Sequence, residues 1–255
     1  MNALSTLKAG SHLAKMLMLG ACLMAVSGCA APHGVKAPDA SQADADPLES
    51  VNRAIYKFNF EADRFVLKPV TVGYRTVVPE KGREMVTNFL ANIYTPVTFA
   101  NSVLQRDPQN SFASLWRFIL NTTFGGAGLF DFASAAGLKN RPADLGETFA
   151  MYGVGPGPYV VLPIIGPSNV RDAFGRLGDA FINPFNYLGN DVSTVLWSAT
   201  AIDQRSANMQ LLDDIYSSSL DPYSTFRSGY TQKRAATIRR ATISRNKALE
   251  RGMCK

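Results

Sequence analysis

The side chains suited to general acid and base work in this 255-residue chain are carboxylates. Asp131, Asp144, Glu147, Asp172 and Asp179 are the candidates, and a pair of acids is enough for glycoside hydrolysis. Both histidines, His12 and His33, lie near the amino terminus, outside the part that reads as folded. No Ser-His-Asp or Cys-His pair can then be assembled, and no His-containing zinc site. The acids fall at helix edges or in loops, so most of them read as helix caps or surface charges. Neither a G-x-x-x-x-G-K-[ST] loop nor a G-x-G-x-x-G after a strand is present. Gly153-Val154-Gly155-Pro156-Gly157-Pro158 is glycine-rich, but its prolines remove amides that a phosphate nest needs. The expectation is a protein that is not an enzyme. A carboxylate-based hydrolase and a structural scaffold are the rivals.

One cysteine has a context of its own. Lys8 and Lys15 give a positive start, and Met16 to Val26 is an apolar run broken only by Gly20, Ala21 and Cys22. The run suits an export signal and falls short of the roughly 20 residues that span a bilayer. It ends in Val26-Ser27-Gly28-Cys29, which resembles the lipobox of bacterial lipoproteins, with Val26 where Leu is commoner. In such proteins the Cys29 thiolate takes a diacylglyceryl group before cleavage. Residues 1–28 are then a signal peptide, and no cofactor is expected beyond the S-diacylglycerol and N-acyl lipid on Cys29. Acyl chains contribute about 0.8 kcal/mol per buried CH₂, and two chains hold stably. Ala30, where Asp would retain a lipoprotein at the inner membrane, implies the outer membrane of a Gram-negative bacterium. Residues 29–45 are small, polar and proline-containing and read as a disordered tether.

Charge narrows the partners. The net charge is +6, yet Arg227 to Lys255 alone carries nine basic residues against Glu250. Nucleic acid is not an expected partner for an exported protein, and the basic tail reads as a solvated helix end. Of the three cysteines, Cys22 lies in the signal, Cys29 carries lipid and Cys254 is alone, so no disulfide framework is available.

The elements that must position these residues are mostly helical, and the fold class is all-α. Ile55, Phe58, Ala62 and Phe65 recur at helical spacing, as do Val86, Phe89, Leu90 and Ile93. Thr95-Pro96 reads as a cap and first-turn proline that opens a new helix through Leu104. Phe112, Leu115, Trp116, Ile119 and Leu120 make another stripe. Phe174, Leu177 and Phe181 make a further one, stopped by Asn183-Pro184. Val192 to Ile202 follows, with a continuation through Leu211, Leu212, Ile215 and Tyr216 left open. A last helix starts near Pro222. Tyr159 to Ile165 holds strand formers, but Pro163 and the flanking Gly-Pro pairs suit a short hairpin or extended loop. After the signal no stretch is apolar for 18 residues. The aromatic stripes fit either a core or amphipathic helices lying in a bilayer interface, and periodicity does not separate the two.

From Asp46 the chain resembles the MlaA (VacJ) family. The match opens with Asp46-Pro47-Leu48-Glu49, Asn52-Arg53, Tyr56 and Phe58-Asn59-Phe60. It continues with Arg117-Phe118, Asn121-Thr122, Gly125, Gly128 and Asp131. Tyr152-Gly153-Val154-Gly155, Gly157-Pro158-Tyr159 and Leu162-Pro163 are its most specific part, followed by Gly166, Arg171-Asp172 and Asp221-Pro222-Tyr223. The resemblance implies a single ring-like helical domain over 46–230 within the outer membrane, on its periplasmic side, and leaves 231–255 as a basic tail. It implies that phospholipid strayed into the outer leaflet is passed to a periplasmic lipid carrier, in association with a trimeric porin. Gly153, Gly155, Gly157, Pro158, Tyr159 and Pro163 are then candidates for a loop gating a lipid channel, with fixed turns as the alternative. Arg53 and Arg171 could meet lipid phosphate, although structural ion pairs, with Asp172 as one partner, are the favoured reading. Asn59 and Asn121 either bond backbone or face the channel.

Overall fold

A computed structural model describes residues 46–250. The signal peptide, Cys29 and the tether lie outside the described residues. Helix α1 (Glu49–Ala62) passes through a π-helical turn (Asp63–Leu67) directly into α2 (Lys68–Val77). Long antiparallel partners α3 (Glu80–Leu104) and α4 (Pro108–Thr123) follow, then the short helices α5 (Phe132–Ala135) and α6 (Leu145–Met151). Strands β1 (Tyr159–Leu162) and β2 (Gly166–Asn169) lead into α7 (Val170–Ile182) and a 3₁₀ turn (Pro184–Tyr187). The chain closes with α8 (Asn190–Ala207), α9 (Met209–Ser218) and α10 (Pro222–Glu250).

Side-chain acceptors start many of these helices. Asp107 takes the Asn110 amide, Asp131 that of Ser134, Asp144 that of Glu147 and Asn169 that of Asp172. Each satisfies an amide that the first helical turn leaves free. Pro108 occupies the first turn of α4, where no amide is needed.

One sequence expectation is corrected here and one open alternative is settled. Thr95-Pro96 does not open a helix: α3 runs unbroken through Pro96. The Thr95 hydroxyl bonds back to Ala91 O, and Thr95, Val97, Thr98 and Asn101 are all buried around the proline. Tertiary packing outweighs the lost backbone bond. Beyond α8, helix and apolar stripe do not continue as one, because the chain turns at Asn208 before α9. The final helix does start at Pro222 and crosses position 230 without interruption.

The strands form an antiparallel hairpin with Tyr159 opposite Asn169 and Leu162 opposite Gly166. Pro163 falls in the turn, where no ladder bond is lost, and Ile164 takes a positive φ of 66°. Helices α6 and α7 meet through glycine. A Cβ on Gly175 would lie 2.4 Å from the Gly146 nitrogen, so no larger residue permits this approach.

The interior is polar. Among the described residues, buried polar and charged side chains outnumber buried hydrophobic ones by more than two to one. Asn52, Thr71, Asn101, Ser102 and Ser168 are almost wholly enclosed. Exposed large hydrophobics occur on nearly every helix. No helix among the described residues is long and apolar enough to cross a membrane.

Candidate functional site

The aromatic stripes point outward. On α4, Phe112, Leu115, Trp116 and Ile119 are exposed, while Asn110, Ser114, Arg117 and Asn121 on the opposite face are buried. Helix α7 repeats this, with Phe174, Leu177 and Phe181 exposed and Arg171, Asp172, Gly175 and Asp179 buried. On α1, Phe58 is exposed and Asn52 is buried, and Phe65 in the following π-helical turn is exposed as well. The helical period was readable, but which face turned inward was set by the polar residues between the stripes. In water such an arrangement exposes what the hydrophobic effect would bury. Against lipid tails it is the favourable arrangement.

Beneath this surface the hairpin is gripped by α1. The Asn52 side-chain amide donates to Tyr159 O at 3.0 Å, and its Oδ1 accepts from the Val161 amide at 2.9 Å. Asn59 does the same further along: Nδ2 donates to Leu162 O at 2.9 Å, and Oδ1 accepts from the Ile164 amide at 2.7 Å. Each asparagine therefore acts as one more rung beside β1. Asn59 thus bonds backbone. Asn52 was quoted only as part of a motif, and the hairpin partners of both asparagines lie more than 100 positions away.

The preceding loop is pinned at one end and open at the other. Val170 N donates to Pro158 O and Arg171 N to Pro156 O, both at 3.2 Å. Gly157 adopts φ +65°, and a Cβ there would approach Val170 Cβ to 3.2 Å. Around Gly153 and Gly155 a Cβ would meet nothing within 4 Å. Tyr159 packs its ring between Tyr223 and Tyr230 of α10. Pro163 closes the hairpin turn.

The arginines and acids fall into separate groups. Arg53 pairs with Asp221 at 2.6 Å and Glu49 at 2.7 Å and lies 4.4 Å over the Tyr223 ring. Asp221 is held well below the usual carboxylate range by hydrogen bonds from Arg53 and Ser224. Asn121 donates to Asp131 at 3.1 Å and accepts the Ala133 amide at 2.8 Å. Arg171 pairs with Asp172 at 3.0 Å, both side chains only 4% exposed.

Arg234 of α10 joins the largest group. It donates to both Asp144 oxygens at 2.6 and 2.7 Å and to Asp172 at 2.7 and 3.0 Å, and Glu147 lies 3.5 Å away. Burial raises the Asp172 pKa, but Arg234 and a hydrogen bond from Tyr230 outweigh it and keep this acid ionised. Glu147 moves the other way, raised by burial and by the nearby Asp144 charge. Asp179 is pushed up to about 6, chiefly by burial, although Asn101, the Leu145 amide and Tyr94 all donate to it.

The reading of these acids as caps or surface charges is therefore corrected in part. Asp131 and Asp144 are caps, whereas Glu147, Asp172 and Asp179 are buried. The tail is corrected too: Arg234, assigned to a solvated helix end, is a half-buried fork between α6 and α7. Nothing local in the sequence marked it, because its partners lie 62 and 90 positions away. A carboxylate pair suited to hydrolysis needs a free acid and a free base facing a cleft. Asp144 and Asp172 are instead tied to one guanidinium.

The chain and its fold resemble known proteins. The MlaA lipoprotein family profile matches residues 44–237. An uncharacterised protein of Rickettsia typhi is 38% identical over 195 residues, covering 76% of this chain and 78% of its own. The intermembrane phospholipid transport system lipoprotein MlaA of Escherichia coli K12 is 37% identical over 198 residues, 75% of this chain and 78% of that protein. The protein of that name from Haemophilus influenzae is 35% identical over 216 residues, 82% and 84% of the two chains. A solved structure described as the structural basis for maintenance of bacterial outer membrane lipid asymmetry aligns with a TM-score of 0.69 at 34% identity, covering 76% of this chain and 99% of its own. With apolar helix faces turned out, polar faces turned in and this likeness along three quarters of its length, the chain belongs to the MlaA lipoprotein family.

Proposed function

We propose that this protein is an outer-membrane lipoprotein that takes phospholipid out of the outer leaflet and hands it to a periplasmic carrier. The transfer is retrograde and preserves lipid asymmetry. The observation that carries the reading is the reversed polarity of α4 and α7, whose apolar faces are exposed and whose charged faces are buried. A body of this kind sits stably among lipid tails and offers headgroups a polar interior. The names of the E. coli and H. influenzae relatives support phospholipid as the cargo.

In this reading Cys29 bears the acyl chains that tether the domain, and a trimeric porin is its neighbour in the membrane. No covalent bond of the lipid is made or broken, and direction comes from partners. The loop of Gly153 and Gly155, open on one side and anchored at Pro156 and Pro158, is the proposed gate beside the lipid path. Arg53, Asn59, Asn121, Arg171 and Asp172 serve by holding that path's walls. The test is the amount of phospholipid in the outer leaflet of cells with and without the protein. Accumulation in its absence, reversed by the wild-type gene, is expected. Equal amounts in the two strains would refute the proposal.

A further inference from the structure

Between α3 and α4 lies a cavity of about 20 Å³, lined by Asn88, Asn92, Thr95, Arg117, Asn121 and Asp131 among others. That exceeds the roughly 10–15 Å³ that one water requires. The charged groups at its wall are already engaged. Arg117 donates to both Asp131 oxygens at 2.9 Å, to Ser134 and to Leu138 O. Asp131 also receives Asn121 and both the amide and the hydroxyl of Ser134. Asn121 spends its own oxygen on the Ala133 amide.

One acceptor is left over. Asn92 is 5% exposed and donates through Nδ2 to the Thr122 hydroxyl at 3.0 Å, but no donor among the described residues reaches its Oδ1. A buried acceptor without a donor costs about 1–3 kcal/mol. Gly128 presses the following loop onto this asparagine, and a Cβ there would come within 2.6 Å of Asn92 Cβ. The amide is therefore confined beside the cavity.

We infer that this cavity binds one small hydrogen-bond donor, an N–H or O–H group the size of a single water, accepted by Asn92 Oδ1. An anion is disfavoured, because Asp131 already neutralises the Arg117 guanidinium and adds its own negative charge to the cavity wall. Two sources carry the right chemistry: an ordered water and the ammonium end of a phospholipid headgroup. The headgroup source rests on the transport function proposed above, and the water source does not.

The test uses the full-length protein in detergent micelles with ¹⁵N-labelled asparagine, following the Asn92 side-chain amide by NMR. Water as occupant gives a cross-peak from that amide to a long-lived water, unchanged by short-chain phosphatidylethanolamine. A headgroup as occupant gives a saturable Asn92 shift with short-chain phosphatidylethanolamine. Phosphatidylcholine, whose nitrogen carries no N–H, then binds about tenfold more weakly or not at all. Either result supports the site and names its source. Absence of both signals overturns it. A rise in Tm for Asn92→Leu would do so as well, since it would mark the oxygen as an unpaired burden. A missing ethanolamine effect alongside a bound water and intact transport in cells removes only the headgroup source.

Discussion

Asn52 and Asn59 stand seven positions apart on α1 and hold successive segments of the hairpin by the same two-point amide contact. Seven residues are close to two helical turns, and the hairpin backbone follows that pitch. Asn52→Ala strands the buried Val161 amide and should destabilise the protein by about 1–3 kcal/mol. Asn59→Ala, nearer the surface, should lower stability by about 0.5–1.5 kcal/mol and chiefly loosen residues 162–165. Urea denaturation of both variants gives the order, and hydrogen exchange at Val161 and Ile164 shows where the loosening occurs.

Arg234 should be among the most sensitive positions. Arg234→Ala leaves Asp144 and Asp172 without their shared counter-charge and should cost about 3–5 kcal/mol. Arg234→Lys keeps the charge but loses the fork that reaches both acids, and should fall between alanine and wild type. Thermal unfolding of the two variants tests the order. Equal stability of all three proteins would remove the ion cluster from the account of how α10 docks.

Asp179 links stability to pH. Its folded pKa is about 6 against an ordinary 3.8, so the fold prefers the neutral acid. The folded state then binds more protons than the unfolded state between these values, and the contribution of Asp179 is full below about pH 4 and lost as pH rises through 6. The shift corresponds to at most about 3 kcal/mol. Asp179→Asn cannot titrate, so the stability difference between wild type and variant should move against wild type from pH 4 to pH 7. Parallel pH profiles for the two proteins would contradict this.

The outward stripe of α7 should govern membrane affinity and not folding. Phe174→Ser with Phe181→Ser removes two exposed aromatic rings, each contributing about 1.5–3 kcal/mol when buried in lipid. In a Cys29→Ser background, where no acyl chain at that position helps, vesicle binding should weaken about a hundredfold or more. Folded stability should change by less than about 0.5 kcal/mol per site. Vesicle co-flotation and circular dichroism measure the two effects separately.

Within the glycine loop, Gly155 and Gly157 should differ. Gly157→Ala meets both an unfavourable positive φ and Val170, and should lose about 1–2 kcal/mol of stability. Gly155 faces open space, so Gly155→Leu should fold like wild type yet raise outer-leaflet phospholipid in cells if the loop gates lipid passage. Full complementation by Gly155→Leu would take the gating role away from this residue.

What could be read from the sequence was local. The stripe Phe174, Leu177 and Phe181 marked α7, and Asn183-Pro184 marked its end. Pro163 and its neighbours marked a short hairpin or an extended loop, and the hairpin is what forms. The collective reading of the acids as caps or surface charges holds for Asp131 and Asp144, which are caps. What could not be read depended on distant partners or on the surrounding solvent. Arg234 looked like one charge in a basic tail until α10 brought it to Asp144 and Asp172. Pro96 looked like a helix start because its buried neighbours were invisible. The direction of the aromatic faces follows from the medium, and a periodic pattern carries no label for its medium.

An interior made of amides, hydroxyls and ion pairs also sets how the molecule answers temperature. Hydration of apolar surface raises the heat capacity of unfolding, and hydration of polar surface lowers it. A chain that hides Asn52, Asn101, Ser102, Asp172 and Arg171, and keeps many of its phenylalanines outside, reverses the usual balance. Its stability curve should be shallow, with cold unfolding displaced far below the freezing point of water.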